Sequence, residues 1–486
     1  MNVKFSFPTE AETESPVLGF GAAEQLTEAC ERITWSQMSR FFSELDASGL
    51  LDTEDRTDVQ PVPQLSVPER LRLALSQLLT SRPSKVGADM TLLEDPRFTE
   101  RFAGLGRYPI AGRPEFERNF TRDAILAALL ADDLPLLRRQ LEICRVWQGW
   151  NFSPATGEEY GKIHHEFPGV TMPNGMQTIF NACDTTSLFI VGMRRVLRSG
   201  TDPNSNPKRD SLGRALCYLF RHVVDDVFWE FPVEAVPKTQ IGQGMPMKEE
   251  YAPDERFALD VTYWKDSRLP YGYSTKYPIS YALAHFQAVT AFRAAADILT
   301  VYASGPMGGR QDIQLADTCR QTAARMIEAG LDLFWTDGGA DFAVAATRSG
   351  RRHYVISSDE AHLLAYLSVN DTASLRERVD LRDIAARADV LATVAGTAST
   401  VGDQRGYHGD DAVWPWEQPF IQEGLTKHGI PADTTVQRRC LEYLTGDPEY
   451  LLVTADGDVI QRGCAPQLWT AALNARPEVF DLPFMP

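Results

Sequence analysis

The sequence has few of the features that mark secreted, membrane-bound or redox-active proteins. Its seven cysteines are scattered and never spaced as Cys-x-x-Cys, so most are expected to be buried, reduced thiols. The first residues, Met1 to Pro8, lack a basic region followed by an apolar core and a cleavage site. No run approaches the roughly eighteen apolar residues of a membrane helix. These absences predict a soluble, cytoplasmic protein.

Positive charge is also scarce. The formal net charge is -18 and the pI is near 5.0, which argues against nucleic acid and anionic membranes as partners, because both are bound by clustered Lys and Arg. Hydrophobic residues make up 43% of the chain and charged residues 23%, as in an ordinary globular protein. We interpret the acidity as a solvated surface.

Several cofactor and nucleophile motifs are missing. Gly305 to Gly309 is glycine-rich but lacks the Lys-Ser/Thr pair of a phosphate-binding loop, and no Gly-x-Ser-x-Gly elbow is present. His164-His165-Glu166 are adjacent residues that cannot easily converge on one ion, and Asp410-Asp411 lacks the alternating ligands of a calcium loop. The sequence therefore predicts neither a metal nor a cofactor.

Helical spacing of apolar residues dominates the 486-residue chain. It predicts about twelve antiparallel helices, which fits an all-α (α/α)6 double helical barrel with a minor β hairpin and an N-terminal helical lead-in. We assign residues 1–104 to the lead-in and 105–486 to the barrel. Predicted helices include Ala124 to Ala131, Leu134 to Trp147, Asp184 to Arg198, Ser211 to Glu230, Ile279 to Tyr302, Ile313 to Phe334, Asp359 to Leu367, Leu381 to Val394, Glu417 to His428, Thr434 to Leu444 and Ala465 to Leu473, with the hairpin within Ala340 to Ile356.

The long loops between these helices combine carboxylates with tryptophan and tyrosine. Carboxylates and Arg bind sugar hydroxyls, and aromatic rings cover the C–H faces of sugars. A single Trp in such a loop is more often a core residue, but the whole group beside acids favours a carbohydrate ligand.

Six segments of these loops form an ordered set of motifs: Arg122-Asp123, Gly161 to Glu166, Asp184 to Phe189, Trp264 to Ser267, Val413 to Trp416 and Gly463 to Trp469. They occur in the same order as similar motifs of amylo-α-1,6-glucosidase, the glucosidase part of glycogen debranching enzyme. The chain also resembles hydrolases of mannosylglycerate and glucosylglycerate in the same barrel group. The resemblance covers roughly residues 105 to 475.

The resemblance implies an inverting α-glycosidase, in which one acid protonates the leaving oxygen and one base activates a water. Asp184 matches the acid, although its position also suits a simple helix N-cap. Glu449, in Pro448-Glu449-Tyr450, best fits the base. Glu417 is the alternative base, but it also begins an apolar helix where the helix dipole favours an acid.

The same resemblance implies a set of sugar-binding residues. Arg122 and Asp123 resemble the pair of residues that binds the sugar in this family, and Glu166 could orient His165. A structural role in buttressing the loops is the alternative for the aromatic members. The predicted substrate-binding residues are Arg122, Asp123, His165, Glu166, Trp264, Lys265, Asp266, Tyr407, His408, Trp414, Trp416 and Glu417.

The predicted partner is a small sugar. Without a recognisable glucan-anchoring domain, a compatible solute such as glucosylglycerol, glucosylglycerate or mannosylglycerate is favoured over glycogen. The alternatives are a debranching or oligosaccharide α-glucosidase, a glycoside phosphorylase on the same barrel, and a carbohydrate-binding protein on a degenerate barrel. The sequence leaves the oligomeric state open.

Overall fold

A computed structural model of the chain describes most residues from Pro109 to Met485. The described residues are 109–150, 153, 156–167, 169, 178–199, 206–230, 236–237, 256–257, 262–265, 278–305, 308–401, 407–409 and 411–485. The predicted N-terminal lead-in and the predicted binding residue Asp266 lie outside them.

Helices dominate the described chain, as predicted. They are α1 Thr121–Ala131, α2 Leu134–Trp147, α3 Thr185–Arg198, α4 Asn206–His222, α5 Ala282–Ala303, α6 Arg310–Phe334, α7 Asp359–Leu364, α8 Thr372–Arg378, α9 Leu381–Val390, α10 Gln418–His428 and α11 Leu468–Ala475. Shorter 3-10 helices cover Val369–Asp371, Pro415–Glu417, Gln437–Tyr443 and Pro477–Asp481.

The first helical hairpin shows how local sequence sets the helix ends. Asp132 ends α1 in the left-handed region, with φ 53°, and its N–H donates to the carbonyls of Ala128 and Leu129. The Asp133 carboxylate then caps α2 by accepting from the Leu136 N–H at 3.1 Å. These two consecutive acids confirm the predicted break between the helices.

Six helices form a closed series of contacts, in which one step runs through a 3-10 turn. α1 packs on α3, α3 on α5, α5 on α7, and α7 on α10. The 3-10 turn Pro415–Glu417, which runs directly into α10, contacts α11, and α11 contacts α1. α1, α5, α7 and α11 are buried along most of their length. α1, α5 and α11 are rich in apolar residues, as expected of buried helices, whereas α7 also buries Asp359, Glu360 and His362.

The other long helices have one buried and one solvent-facing side and lie against this ring. α2 contacts α1 and α3, α4 contacts α3 and α5, and α6 packs along α5. α9 contacts α7, and the 3-10 helix Gln437–Tyr443 contacts α10. A single apolar core therefore lies within and immediately around the six helices.

Short strands are more numerous than predicted. They are β1 Asn119–Phe120, β2 Glu166–Phe167, β3 Val223–Val224, β4 Val227–Phe228, β5 Val236–Pro237, β6 Arg256–Phe257, β7 Ile279–Tyr281, β8 Trp335–Thr336, β9 Asp341–Thr347, β10 Arg352–Tyr354, β11 Ala392–Thr393, β12 Gly396–Thr397, β13 Ala412–Val413, β14 Tyr450–Val453 and β15 Val459–Arg462. β9 and β10 confirm the predicted hairpin. β7 and β8 also pair with β9.

Several predicted helix bounds were wrong because tight turns intervene. α4 stops at His222, where Asp225 and Asp226 both have positive φ, of 53° and 59°, and close the β3–β4 hairpin. Positive φ at both central residues is what a two-residue hairpin of this twist requires, and Asp tolerates it. α9 likewise ends at Val390, before the β11–β12 pair. The segment predicted as a helix over 434–444 is a 3-10 helix instead.

A second hairpin, β14–β15, was not predicted at all. It runs antiparallel from Tyr450–Val453 to Val459–Arg462 and adds β13 at its other edge. Its strands have only one fully buried position among their eight, at Leu451, so apolar alternation was too weak to identify them. This three-stranded sheet places Glu449 immediately before β14.

Among the described helices, none combines the length and the hydropathy needed to cross a lipid bilayer.

Candidate active site

The starts of the ring helices carry buried polar side chains that meet one another. Asp123 lies in the first turn of α1, Asp184 directly precedes α3, and Asp359 begins α7. Glu417 directly precedes α10, and Gln467 directly precedes α11. Positive partial charge at helix N-termini favours carboxylates at these positions. The contacts described below show that these helices begin at one end of the ring.

Asp184 is held by an ion pair between helix starts. Nε and Nη2 of Arg122 donate to the two oxygens of the Asp184 carboxylate at 2.7 and 2.9 Å. Both side chains are buried. Asp184 occupies the N-cap position of α3, but its side chain makes no capping hydrogen bond, so the simple N-cap interpretation does not account for its carboxylate. The bidentate guanidinium fixes the orientation of the carboxylate.

Asp123 lies beside the Arg122–Asp184 ion pair, and its pKa is raised. Its Oδ1 accepts from the Gln467 side-chain amide at 3.1 Å. Burial raises the pKa of Asp123 to about 8, the Arg122 cation opposes this rise, and the nearby Glu449 and Asp184 carboxylates add to it. Asp123 is therefore mostly protonated at neutral pH.

Glu449 is fixed by a turn and a tyrosine. Its Oε2 accepts from the Cys464 backbone N–H at 2.8 Å, and the Tyr407 hydroxyl donates to its Oε1. The backbone of Glu449 also donates to the Cys464 carbonyl, at 2.8 Å. Gly463 has φ 74°, and a Cβ at this position would lie 2.3 Å from Oε2 of Glu449. The glycine of the Gly463-Cys464 motif therefore makes room for the buried carboxylate.

The His165-Glu166 loop lies against the start of α1. The His165 carbonyl accepts from the Thr121 N–H at 2.8 Å, which ties the loop to the residue preceding Arg122. Burial and then the Arg122 cation hold the pKa of His165 well below its usual range, so the ring is neutral. Glu166 pairs with Arg118 at 2.9 Å and accepts from Thr178. The Glu166 carboxylate therefore binds Arg118 and Thr178, and these contacts do not support the predicted role of orienting His165.

Aromatic rings connect the helix starts. Trp264 makes edge contacts with Trp414 and Trp416, at ring-centre distances of 5.8 and 5.0 Å. Trp416 stacks on Trp469 at 5.3 Å, and His408 lies 4.8 Å from Trp414 and 5.1 Å from Trp264. Within the described part of the chain, the buried indole N–H groups of Trp416 and Trp469 have no hydrogen-bond partner. Two donors that a bound hydroxyl could satisfy thus lie in this aromatic group.

Lys265 is fully engaged by protein groups. Its ammonium lies 3.2 Å from Asp359 Oδ1 and donates to the hydroxyls of Ser357 and Ser358, both at 2.8 Å, and to the Ser399 carbonyl at 2.9 Å. Four acceptors around a buried ammonium indicate that Lys265 pins the loop to α7. The predicted role in direct sugar binding is not favoured by this arrangement.

Glu417 lies next to this pair. Its Oε1 accepts from Ser358 at 2.9 Å and contacts His362 Nδ1 at 3.1 Å, whereas its buried Oε2 has no hydrogen-bond partner among the described residues. Ligand atoms of Asp359, His362 and Glu417 come within 4.8 Å of one another, the geometry of a possible metal site. A divalent cation there would have to displace the Lys265 ammonium from Asp359. The donor set therefore fits the Lys265–Asp359 ion pair and an adjacent hydrogen-bonded carboxylate better than a metal.

The structure brings most of the predicted residues together, in two groups. The first group contains Arg122, Asp123, Asp184, Tyr407 and Glu449. The second group contains Trp264, Lys265 and Glu417. Between the two groups lie Trp414, Trp416 and His408. Sequence reasoning missed Asp359, His362 and Gln467. Of these three residues, only Gln467 belongs to a motif that the sequence had singled out, Gly463 to Trp469.

At the level of sequence, no protein-family model and no curated protein matches the chain. Solved structures with a similar fold include an uncharacterized conserved protein from Thermus thermophilus, with a TM-score of 0.52 and 14% identity over 79% of this chain and 98% of that one. They also include a GH63 mannosylglycerate hydrolase from the same organism, in complex with Tris and D-glycerate. It has a TM-score of 0.52 and 12% identity over 79% and 99% of the two chains.

The same hydrolase in complex with glucose has a TM-score of 0.50 and 13% identity, again over 79% and 99%. Similarity at this level of identity establishes a shared, largely helical fold over most of both chains.

Proposed function

We propose that the chain is an inverting α-glycoside hydrolase built on an (α/α)6 barrel. One observation carries the proposal: the buried carboxylate of Asp123 lies near the buried carboxylates of both Asp184 and Glu449, and the Arg122 guanidinium forms its ion pair with Asp184. A structural ion pair needs one acid for one base. A surplus of buried carboxylates is costly unless their different protonation states are used.

In the proposed reaction Asp184 is the general acid and Glu449 the general base. Glu449 takes a proton from a water as the water oxygen bonds to the anomeric carbon. The bond from that carbon to the leaving oxygen breaks, and the leaving oxygen receives the proton of Asp184. The hydrogen bonds from Tyr407 and Cys464 favour an ionised Glu449, as a base requires.

The Arg122 ion pair constrains the assignment of the acid. A general acid must hold a proton on one oxygen, whereas both oxygens of the Asp184 carboxylate accept hydrogen bonds from Arg122. The proposal therefore requires bound sugar hydroxyls to compete for Arg122 and weaken this pair. Asp123, already mostly protonated at neutral pH, is the alternative donor.

Two substrates distinguish these donors. Asp184→Asn is expected to lose about 10²- to 10⁴-fold in kcat/KM on an α-glucoside with an alcohol leaving group, and far less on α-glucosyl fluoride, which needs no proton. Asp123→Asn is expected to lose activity equally on both substrates, as a binding residue should. The reverse pattern would assign the proton donor to Asp123.

The favoured substrate is a small α-glycoside, with glucosylglycerol, glucosylglycerate and mannosylglycerate as the candidates. Support comes from the aromatic rings between the two groups of acids and from the hydrolase of similar fold, whose structures contain D-glycerate or glucose. The buried carboxylate of Glu449 fits activation of water better than binding of phosphate, since it would repel an anion.

A panel of α-glucosides and α-mannosides, assayed for free sugar with and without phosphate, tests the proposal. Release of free sugar without phosphate, appearing first as the β anomer by NMR, is the expected result. First release of the α anomer would contradict inversion. Sugar binding by calorimetry without turnover of any panel member would favour a binding protein instead.

A further inference from the structure

The contact between Tyr407 and Glu449 reaches across the site from separate parts of the chain. Tyr407 lies in the segment before β13, and Glu449 directly precedes β14, which pairs with β13. The Tyr407 hydroxyl donates to Oε1 of Glu449, while Oε2 accepts from the Cys464 N–H. Each carboxylate oxygen is thus held by one donor of its own, so the carboxylate plane has a defined orientation.

We infer that Tyr407 is a positioning residue that holds Glu449 ionised and aimed for its reaction with water. This inference rests on the proposed function of Glu449. A carboxylate oxygen has more than one acceptor position, so Oε1 can accept from Tyr407 and still face a water. Tyr407 therefore acts through Glu449, and direct sugar contact is not its main role.

The supporting aromatic packing restricts the tyrosine. Its ring makes edge contacts with Trp414 at 4.9 Å and with Tyr450 at 5.2 Å. The Tyr407 carbonyl also accepts from the Trp414 indole N–H at 2.8 Å. A ring and a backbone fixed in this way deliver the hydroxyl to one place, which is what a positioning role needs.

Other titratable groups also face Glu449 and set the background for any pH effect. Asp123 lies near it on α1, Tyr450 follows it in β14, and Cys464 faces it from the turn before α11. Asp123 is mostly neutral below pH 8, and burial raises the pKa values of Tyr450 and Cys464. None of these three groups supplies a positive charge, whereas the hydrogen bonds from Tyr407 and Cys464 both favour the Glu449 anion.

The decisive test is a pH titration of Glu449 by infrared difference spectroscopy, with the signal identified by its loss in Glu449→Gln. Tyr407→Phe is expected to move the midpoint to higher pH by about 1 to 2 pH units, because a hydrogen bond to the anion is lost. Tyr450→Phe is the matched control, since it removes a hydroxyl from the neighbouring ring, and it should leave the midpoint in place. An unchanged midpoint in Tyr407→Phe would overturn the inference whether or not the protein hydrolyses glycosides.

Kinetics separate positioning from sugar binding. Tyr407→Phe is expected to lower kcat about 10-fold or more with little change in KM, and to move the acidic limb of the kcat/KM profile to higher pH. In a Glu449→Ala background rescued by azide, which replaces water as the nucleophile, adding Tyr407→Phe should change the rate no further. A rise in KM alone, or a further loss of the azide-rescued rate, would show that Tyr407 acts on the sugar directly. Absence of turnover in the unmodified protein would instead contradict the proposed function, and the infrared titration would still decide the role of Tyr407.

Discussion

The two groups of buried charges at the starts of the ring helices differ in their balance. Around α7 and α10, Asp359 is paired with Lys265, and Glu417 with His362. Around α1, α3 and α11, Arg122 pairs with Asp184, and Asp123 lies near the carboxylates of both Asp184 and Glu449. The first arrangement places a cation against a buried carboxylate, as a structural network must. The second sets three acids against one cation, and burial raises the pKa of Asp123 to about 8, the kind of shift that acid–base chemistry uses.

Comparing the two glutamates tests this distinction most strongly. Glu449→Gln is expected to lower kcat by about 10²- to 10⁴-fold with little change in the unfolding midpoint, because a general base is lost. Glu417→Gln should mainly lower stability, since it disturbs the contacts with Ser358 and His362. Steady-state kinetics and thermal unfolding of both variants measure the contrast. A larger loss of kcat in Glu417→Gln would make Glu417 the base and reverse the comparison.

Breaking the compensated pair should destabilise the fold. Lys265→Met leaves the buried Asp359 carboxylate without its cation and is expected to cost about 3 to 5 kcal/mol in the free energy of unfolding. Chemical denaturation gives the value. The double variant with Asp359→Asn should cost less than the sum of the single changes, since the two charges stabilise each other. Additive costs would show that the pair is not coupled.

The glycine beside Glu449 offers a smaller perturbation. Gly463→Ala forces a Cβ against the Glu449 carboxylate and is expected to lower kcat about 100-fold through misplacement of the base. Gly457→Ala is a matched control in the adjoining hairpin, because Gly457 also has positive φ, 85°, but open space around its Cβ position. Both variants carry the cost of placing a Cβ on a residue with positive φ. Equal activity in the two would remove the argument that Gly463 makes room for Glu449.

Ionisation of Asp123 should make the free energy of unfolding depend on pH. Its folded pKa of about 8 lies above that of an unfolded Asp, about 3.9, so the folded state binds more protons between these values. Its contribution to stability is present below pH 4 and is lost as pH rises through 8. Asp123→Asn is expected to reduce this loss of unfolding free energy between pH 4 and pH 8 by about 1 to 3 kcal/mol, measured by chemical denaturation across that pH range. An unchanged pH dependence would place the proton elsewhere.

Much of the helical framework follows from local sequence. The hairpin of α1 and α2 was predicted because Asp132 and Asp133 interrupt two apolar helical patterns, and both acids do act at the helix ends. The start of α3 at Asp184 was predicted on the same basis. Failures occurred where a turn residue overrode the pattern, as Asp225 and Asp226 do after α4.

The sequence by itself determined the helix periodicity, the acidic charge and the placement of Asp123, Asp184 and Glu417 at helix starts, because these depend on neighbouring residues. Only the tertiary structure decided which charges meet. It paired Arg122 with Asp184, revealed Asp359 as the partner of Lys265, and brought Tyr407 to Glu449 across 42 residues. These contacts depend on closure of the helix ring and on the β13–β14 register, and the ionisation of each acid depends on burial and on neighbours distant in sequence.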